Sequence, residues 1–243
     1  MKRGVLAFKA SLAADQIIKD LGILSLPVNP IPIARDSQIE VLAKPAAAIG
    51  VSGMLIRSGN LFAIAYATHI DNIGFQNFSI AHELGHYFLP GHIDAVFTNG
   101  DIHESQAGFA SGSQYEMEAD HFAASLLMPR SLFIDAMYHA GDGLHAIETL
   151  SERCQTSLTA TGIRYVQCSR DAVAIVLSTG STIDYCFMSE SMREASGLRW
   201  IHKGEGLTKY TATYVFNKDR TRVLRSDRVE DQSDLQYWFA SER

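Results

Sequence analysis

The sequence predicts an α+β protein, and three patterns carry that expectation. Residues 51–57 and 60–68 are two apolar runs joined at Ser58-Gly59, the signature of a β-hairpin. Residues 114–127 and 131–167 instead repeat apolar residues at helical spacing. After Asp171 the period shortens again, so 172–177 and 182–187 read as strands around Ser178-Thr179-Gly180-Ser181. The chain then divides into an α+β unit over 1–130, a short helical linker over 131–168 and a small C-terminal α/β sheet domain over 169–243.

The elements follow in order. A helix over 14–21 closes at Gly22, and a proline-rich stretch, Leu26-Pro27-Val28-Asn29-Pro30-Ile31-Pro32, leads towards the hairpin. Asp71-Asn72-Ile73-Gly74 marks a turn. Ser79 is a suitable N-cap for a helix over 80–88, which Pro90-Gly91 ends. Residues 93–113 carry Gly100, Gly108 and Gly112 among serines and Asn/Asp, which predicts a loop over a cleft, with His103 and Glu104 as solvent-facing polar groups. Ala119, Phe122, Ala123, Leu126 and Leu127 form the apolar stripe of the next helix, which stops before Pro129. In the linker, Leu144, Ile147 and Leu150 define one helix and Thr156-Ser157 start another through Tyr165, a pair similar to a helix-turn-helix. Only Arg153, Arg164 and Arg170 lie nearby, so a structural role is expected rather than DNA reading. Residues 211–216 and 221–224 flank Asn217-Lys218-Asp219 as a second hairpin, and Gln236-Tyr237-Trp238-Phe239 should pack onto the sheet.

The chemistry concentrates in His82-Glu83-Leu84-Gly85-His86. Histidines four apart on a helix lie about 40° apart around its axis, so both imidazoles can reach one metal ion. Glu83 then stands beside the metal, placed to take a proton from bound water. Ile80, Leu84 and Tyr87 fall on the side that packs inward. A catalytic zinc needs a third protein ligand and an open position. His92 lies ten residues after His82, the metzincin spacing, but that pattern needs a glycine where this chain has Leu89. Glu116 is the better candidate. Asp120 follows it by four residues, on the same helix face, as in thermolysin-like (gluzincin) enzymes, where such an aspartate holds a ligand imidazole by its other nitrogen. Glu118 points elsewhere and reads as a solvated charge. Tyr115, His92 and His121 are candidates for stabilising a tetrahedral oxyanion. A strand over 61–66 could offer its edge to an extended substrate.

These residues carry a resemblance. Ala81-His82-Glu83-Leu84-Gly85-His86-Tyr87-Phe88-Leu89, followed by Glu116, Ala119-Asp120, Phe122-Ala123-Ala124 and Leu126-Leu127-Met128-Pro129, is similar to the ImmA/IrrE family of HExxH zinc metallopeptidases, over roughly residues 10–167. Members often have Arg-Phe-Thr before Ala-His-Glu, where this chain has Asn77-Phe78-Ser79. The resemblance implies a zincin-like, intracellular, zinc-dependent protease. Its ligands would be His82, His86 and Glu116, its base Glu83, and Asp120 would orient one histidine. It also implies a protein substrate, a DNA-binding repressor of the helix-turn-helix class, whose loss derepresses stress-response or mobile-element genes. By analogy to longer members, the C-terminal domain would be sensory.

Bulk properties agree with that class. The apolar run after Lys2-Arg3 is too short for a signal peptide, and the longest nearly uncharged stretch of small apolar residues, 45–56, cannot span a bilayer, so a cytoplasmic protein is expected. Three cysteines without a CxxC read as reduced thiols. A net charge of −6 does not favour direct nucleic-acid binding. Lys218, Arg220, Arg222, Arg225 and Arg228 read as a solvated hairpin face, with docking to an acidic partner as the alternative. The donor set suits Zn2+, and Mn2+ or Fe2+ could use similar ligands. Two rival functions fit the same motif: a general or toxin-like metalloprotease with another target, and a non-catalytic, metal-containing regulatory module.

Overall fold

The computed structural model describes residues 2–44, 50–98, 100–106 and 113–239, and shows an α+β fold in two compact units, Met1–Arg164 and Tyr165–Arg243. The first unit opens with helices α1 (Lys2–Asp20) and α2 (Pro30–Asp36) and strands β1 (Ile39–Lys44), β2 (Val51–Ser58) and β3 (Leu61–Ala67). It continues through α3 (Ile73–Phe88), α4 (His92–Val96), β4 (Ile102–Gln106), α5 (Gln114–Leu127), α6 (Arg130–Met137), α7 (Gly143–Cys154) and most of α8 (Leu158–Cys168).

The expected hairpin forms: β2 and β3 are antiparallel, with Leu55 opposite Ile64. The sheet order is β1-β3-β2-β4, with β1 parallel to β3 and β4 antiparallel to β2. β3 is therefore interior and cannot offer the free edge expected of 61–66; its flank is covered by β1, a strand that the sequence reading did not include. The edge on the other side is β4. A bulge between Val51 and Gly53 shifts the β2–β4 register, and the Ser52 hydroxyl donates to the Ser105 carbonyl at 3.0 Å.

Helix α3 packs on the sheet. Ile80 and Leu84 are fully buried with Leu55 and Ile64 beneath them, and Phe122 and Leu126 of α5 complete the layer. Ala10, Ala14 and Ile18 of α1 belong to the same core. The helix begins seven residues earlier than Ser79 suggested. Asn72, read as a turn residue, is the N-cap, accepting from the Phe75 N–H at 3.0 Å, while Ser79 sits mid-helix with its hydroxyl bonded back to the Phe75 carbonyl. Residues 93–113 are not simply a loop either: α4 and β4 occupy part of them, and 99 and 107–112, including Gly108 and Gly112, lie outside the described residues.

In the second unit, β5 (Ala174–Thr179) and β6 (Thr182–Met188) form the expected hairpin. The second expected hairpin is instead two short helices, after α9 (Glu190–Glu194): α10 (Ala212–Lys218) and α11 (Arg220–Leu224). The reason is local. Thr211 caps α10 through the Tyr214 N–H, and Asp219 caps α11 through the N–H groups of Thr221 and Arg222. Residues that serve turns serve helix N-termini equally well. The last helix, α12 (Gln236–Phe239), buries Phe239 with Ile183, Met192, Ile201 and Leu207. Among the described residues no helix is long and apolar enough to cross a membrane.

Candidate metal centre

Three elements bring the site together. Helix α3 supplies His82, Glu83 and His86, all buried. Helix α5 crosses α3 at Gly85, where an added Cβ would stand 3.0 Å from Ala119 Cα. Only glycine lets the two backbones approach this closely, and the approach puts Glu116, one turn before Ala119, against the histidines. Strand β4 adds His103 from the side.

The polar atoms converge. His82 Nε2 lies 3.1 Å from His86 Nε2 and 3.2 Å from Glu116 Oε2, and His86 Nε2 lies 3.4 Å from Glu116 Oε1. Tetrahedral zinc with arms of ~2.0–2.1 Å needs ligand atoms ~3.3–3.4 Å apart. The observed spacing therefore fits such an ion, and it brings together the three residues chosen from sequence. His103 was not among them. Its Nε2 is 3.3 Å from Glu116 Oε1, and its ring stands 4.6 Å from that of His86. It is not the solvent-facing residue expected of a loop, because it belongs to a strand paired with β2, opposite Leu55.

Each histidine of α3 has its own support. His82 Nδ1 bonds Asp120 Oδ1 at 2.9 Å, as the i, i+4 relation to Glu116 suggested. His86 Nδ1 meets His92 Nδ1 at 3.2 Å, and His92 Nε2 meets Glu118 Oε2 at 3.3 Å. With the His86 Nε2 lone pair free for a ligand bond, one proton arrangement satisfies this chain. His86 Nδ1–H donates to His92, and His92 Nε2–H donates to the Glu118 carboxylate. Glu118 is thus not a solvated charge, and Gln114 holds its other oxygen at 2.8 Å. His92 lies behind His86 rather than beside the three ligand atoms. Tyr115 packs edge-on against His92, with ring centres 5.1 Å apart. His121 is exposed, and among the described residues no hydrogen bond or ion pair joins it to the cluster.

Charge states follow from these surroundings. Burial works to lower the His82 pKa, but Asp120 and Glu116, with Glu83 close by, outweigh it and raise it to about 10. His86 is lowered to about 4, chiefly by burial. Burial would raise the Glu116 carboxyl, yet hydrogen bonds from His103, His82 and His86 hold it far below the usual carboxylate range. Glu83 is the opposite case. It is fully buried, neither oxygen has a hydrogen-bond partner of good geometry among the described residues, and burial pushes its pKa up against the pull of His82 and of the nearby Ser105 hydroxyl. An added Cβ on Gly53 would stand 2.7 Å from Glu83 Oε1, so the strand leaves room for this carboxylate where a side chain would fill it.

Residues 34–165 match the peptidase family described as the IrrE N-terminal-like domain, a stretch that holds every residue of the cluster. The chain belongs to that family. The match also runs through α6 and α7 and into α8, helices that the sequence reading set apart as a linker. A curated relative, the radiation response metalloprotease IrrE of Deinococcus deserti (strain DSM 17065 / CIP 109153 / LMG 22923 / VCD115), is 29% identical over 122 residues, 50% of this chain and 40% of that protein. The chain thus matches less than half of that relative's length. A solved structure of a Mycobacterium tuberculosis transcriptional regulator aligns with a TM-score of 0.50 at 17% identity, over 74% of this chain and 55% of that one, a likeness of fold alone.

Proposed function

We propose that this IrrE-type peptidase is a zincin-like, gluzincin-like zinc endopeptidase with His82, His86 and Glu116 as ligands and Glu83 as general base. One observation carries the reading: two imidazole nitrogens and the two oxygens of one carboxylate in contacts of 3.1–3.4 Å, with the buried carboxylate of Glu83 on the residue after His82. A purely structural site has no use for Glu83, since a buried carboxylate without donors lowers stability. When bound, zinc lowers the pKa of its water and polarises the scissile carbonyl. The chain supplies the rest. Glu83 accepts the water proton and hands it to the leaving amine, and its raised pKa suits both tasks. Asp120 fixes the His82 tautomer, and His92 with Glu118 fixes that of His86. His103 and Tyr115 are the candidate donors to the oxyanion, since His92 commits both nitrogens elsewhere and His121 stands apart; His103 would have to turn its Nε2 from Glu116 to serve. Strand β4, as the sheet edge that carries His103, lays out the extended substrate.

The resemblance stated above supports one substrate class. It is a DNA-binding repressor of the helix-turn-helix class, cut in the cytoplasm to derepress stress-response or mobile-element genes. The experiment is digestion of a purified repressor from the same genome by the zinc-loaded chain, with casein as control. Cuts in the repressor at zinc-dependent, fixed positions support this target, and equal cutting of casein points to a general protease. Glu83→Gln should lower the rate by ~10²–10⁴-fold while keeping the metal.

A further inference from the structure

Beside the cluster lies a cavity of about 410 Å³, whose wall includes His82 and Asp120. Three elements enclose it. The first half of α3 contributes Phe75 and Phe78, the bulge and edge strand contribute Ser52 and Ser105, and the start of α8 contributes Thr159 and Ala160. Two of its walls are held against each other. A Cβ on Gly74 would stand 2.8 Å from the Thr156 carbonyl carbon and 2.9 Å from the Ser157 nitrogen, so α3 and the start of α8 are in direct backbone contact. The Asn77 amide also donates to the Gln155 carbonyl at 3.4 Å.

The chemistry of the wall selects its occupant. Ile70, Phe75, Phe78 and Ala160 are half-buried, so their apolar surface is still open. The polar residues of the wall are mostly engaged with one another. Ser52 donates to the Ser105 carbonyl, Ser79 to the Phe75 carbonyl, and Asn72 accepts from the Phe75 N–H. The Thr156 hydroxyl pairs with Thr161 at 2.8 Å, and Ser157 accepts from the Ala160 N–H. The charged wall residues, His82 and Asp120, are paired with each other, and among the described residues no lysine or arginine contributes. An anionic side chain placed here would lose water and meet no cation other than His82, and a cationic one would find only the second oxygen of Asp120. An apolar one would displace water from an apolar surface, which is favourable.

The geometry points to this cavity as the subsite that selects a large apolar residue, of Leu, Ile, Met or Phe size, beside the scissile bond. This rests on the peptidase reading above, because the cavity is continuous with the proposed ligand His82. The volume would hold about a dozen waters at ~30 Å³ each, ample room for such a side chain. Helix α8, expected only to link domains, thereby becomes a specificity element.

Two experiments test it. In the first, the zinc-loaded full chain digests an equimolar mixture of random-sequence peptides, and the fragments are sequenced by mass spectrometry. At one position beside the cut, Leu, Ile, Met and Phe should exceed Ala by at least ~10-fold. Ala160→Phe should move that preference to small residues while peptides carrying them are still cut. Thr159→Leu is the substitute should Ala160→Phe not fold. No preference near the cut, or a preference for Lys, Arg, Asp or Glu, overturns the proposal. The second experiment needs neither metal nor catalysis. N-acetyl-leucine methylamide and its alanine counterpart are titrated into the metal-free chain while the methyl NMR signals of Ala160 and Ile70 are followed. Selective shifts with the leucine compound support the subsite, and equal or absent shifts overturn it. A chain that shows these shifts yet cuts no peptide refutes the peptidase reading and leaves the apolar site standing. A chain that cuts without preference and shows no shifts does the reverse.

Discussion

His82 and His86 sit one turn apart on the same helix, yet their surroundings drive them in opposite directions. His82 faces Asp120 and Glu116 directly and its pKa rises to about 10, while His86 lies deeper, shares only Glu116, backs onto another imidazole, and falls to about 4, chiefly through burial. Residue type is identical and both imidazoles touch Glu116, so the difference comes from Asp120, which His82 meets directly, set against the burial that dominates at His86. A carboxylate in direct contact stabilises the imidazolium; the same kind of carboxylate one imidazole further away fixes a tautomer without imposing a proton. In the proposed site the first arrangement supplies a basic ligand and the second a neutral one.

The largest effects should come from removing what both arms support. His82→Ala, His86→Ala or Glu116→Ala should each weaken zinc binding by more than ~100-fold in a chelator competition assay, since three ligands are the minimum for such a site. An affinity within tenfold of wild type for any of them would remove that residue from the ligand set. The comparison sharpens with Asp120→Asn against Glu118→Gln. Loss of the direct partner should cost ~10–100-fold in zinc affinity, and loss of the relayed one less than ~10-fold. Equal losses would mean that both arms act alike.

The pH dependence separates the arms again. In the metal-free protein His82 carries a proton that zinc must displace, so zinc affinity should rise with pH between 6.5 and about 10. The slope approaches tenfold per unit for that one proton. Asp120→Asn should flatten this slope, and Glu118→Gln should leave it. The same proton has a stability sign. Its folded pKa is raised, so its contribution is complete below pH 6.5 and is lost as pH rises through about 10.

The smallest effects on stability and metal binding concern Glu83. Its pKa is raised by burial, so above the ordinary carboxylate range its charge destabilises the fold. Glu83→Gln should therefore raise the melting temperature of the metal-free protein at pH 7 by ~2–4 °C, corresponding to about 1 kcal/mol. A lower melting temperature would show that the carboxylate has donors after all. Gly53→Ala should keep the fold and the metal and lose activity, because the new methyl would occupy the Glu83 Oε1 position.

The readable part of this site was the part that lies on helices. Four-residue spacing alone placed His82 with His86 and Glu116 with Asp120, and the structure brings all four together. His103 and Glu118 were misread for different reasons. His103 reaches the site only because β4 pairs with β2, and that pairing crosses some fifty residues with no local signal. Glu118 contacts His92, whose position depends on α4, a single short helix within an expected loop. The fold divides in the same way. The β2–β3 and β5–β6 hairpins and the helices of 131–167 were legible from local pattern. The parallel partner β1 was not, since parallel pairing leaves no adjacent turn to read. Thr211 and Asp219 misled because capping and turning use the same side-chain bonds.

The most direct test places wild type and Glu83→Gln side by side, with zinc stoichiometry measured by isothermal titration and cleavage of the random-peptide mixture followed by mass spectrometry. The account predicts one zinc per chain in both, with affinities within tenfold, and cutting by the wild type alone. Wild-type cutting by Glu83→Gln, or no zinc in either protein, would contradict it.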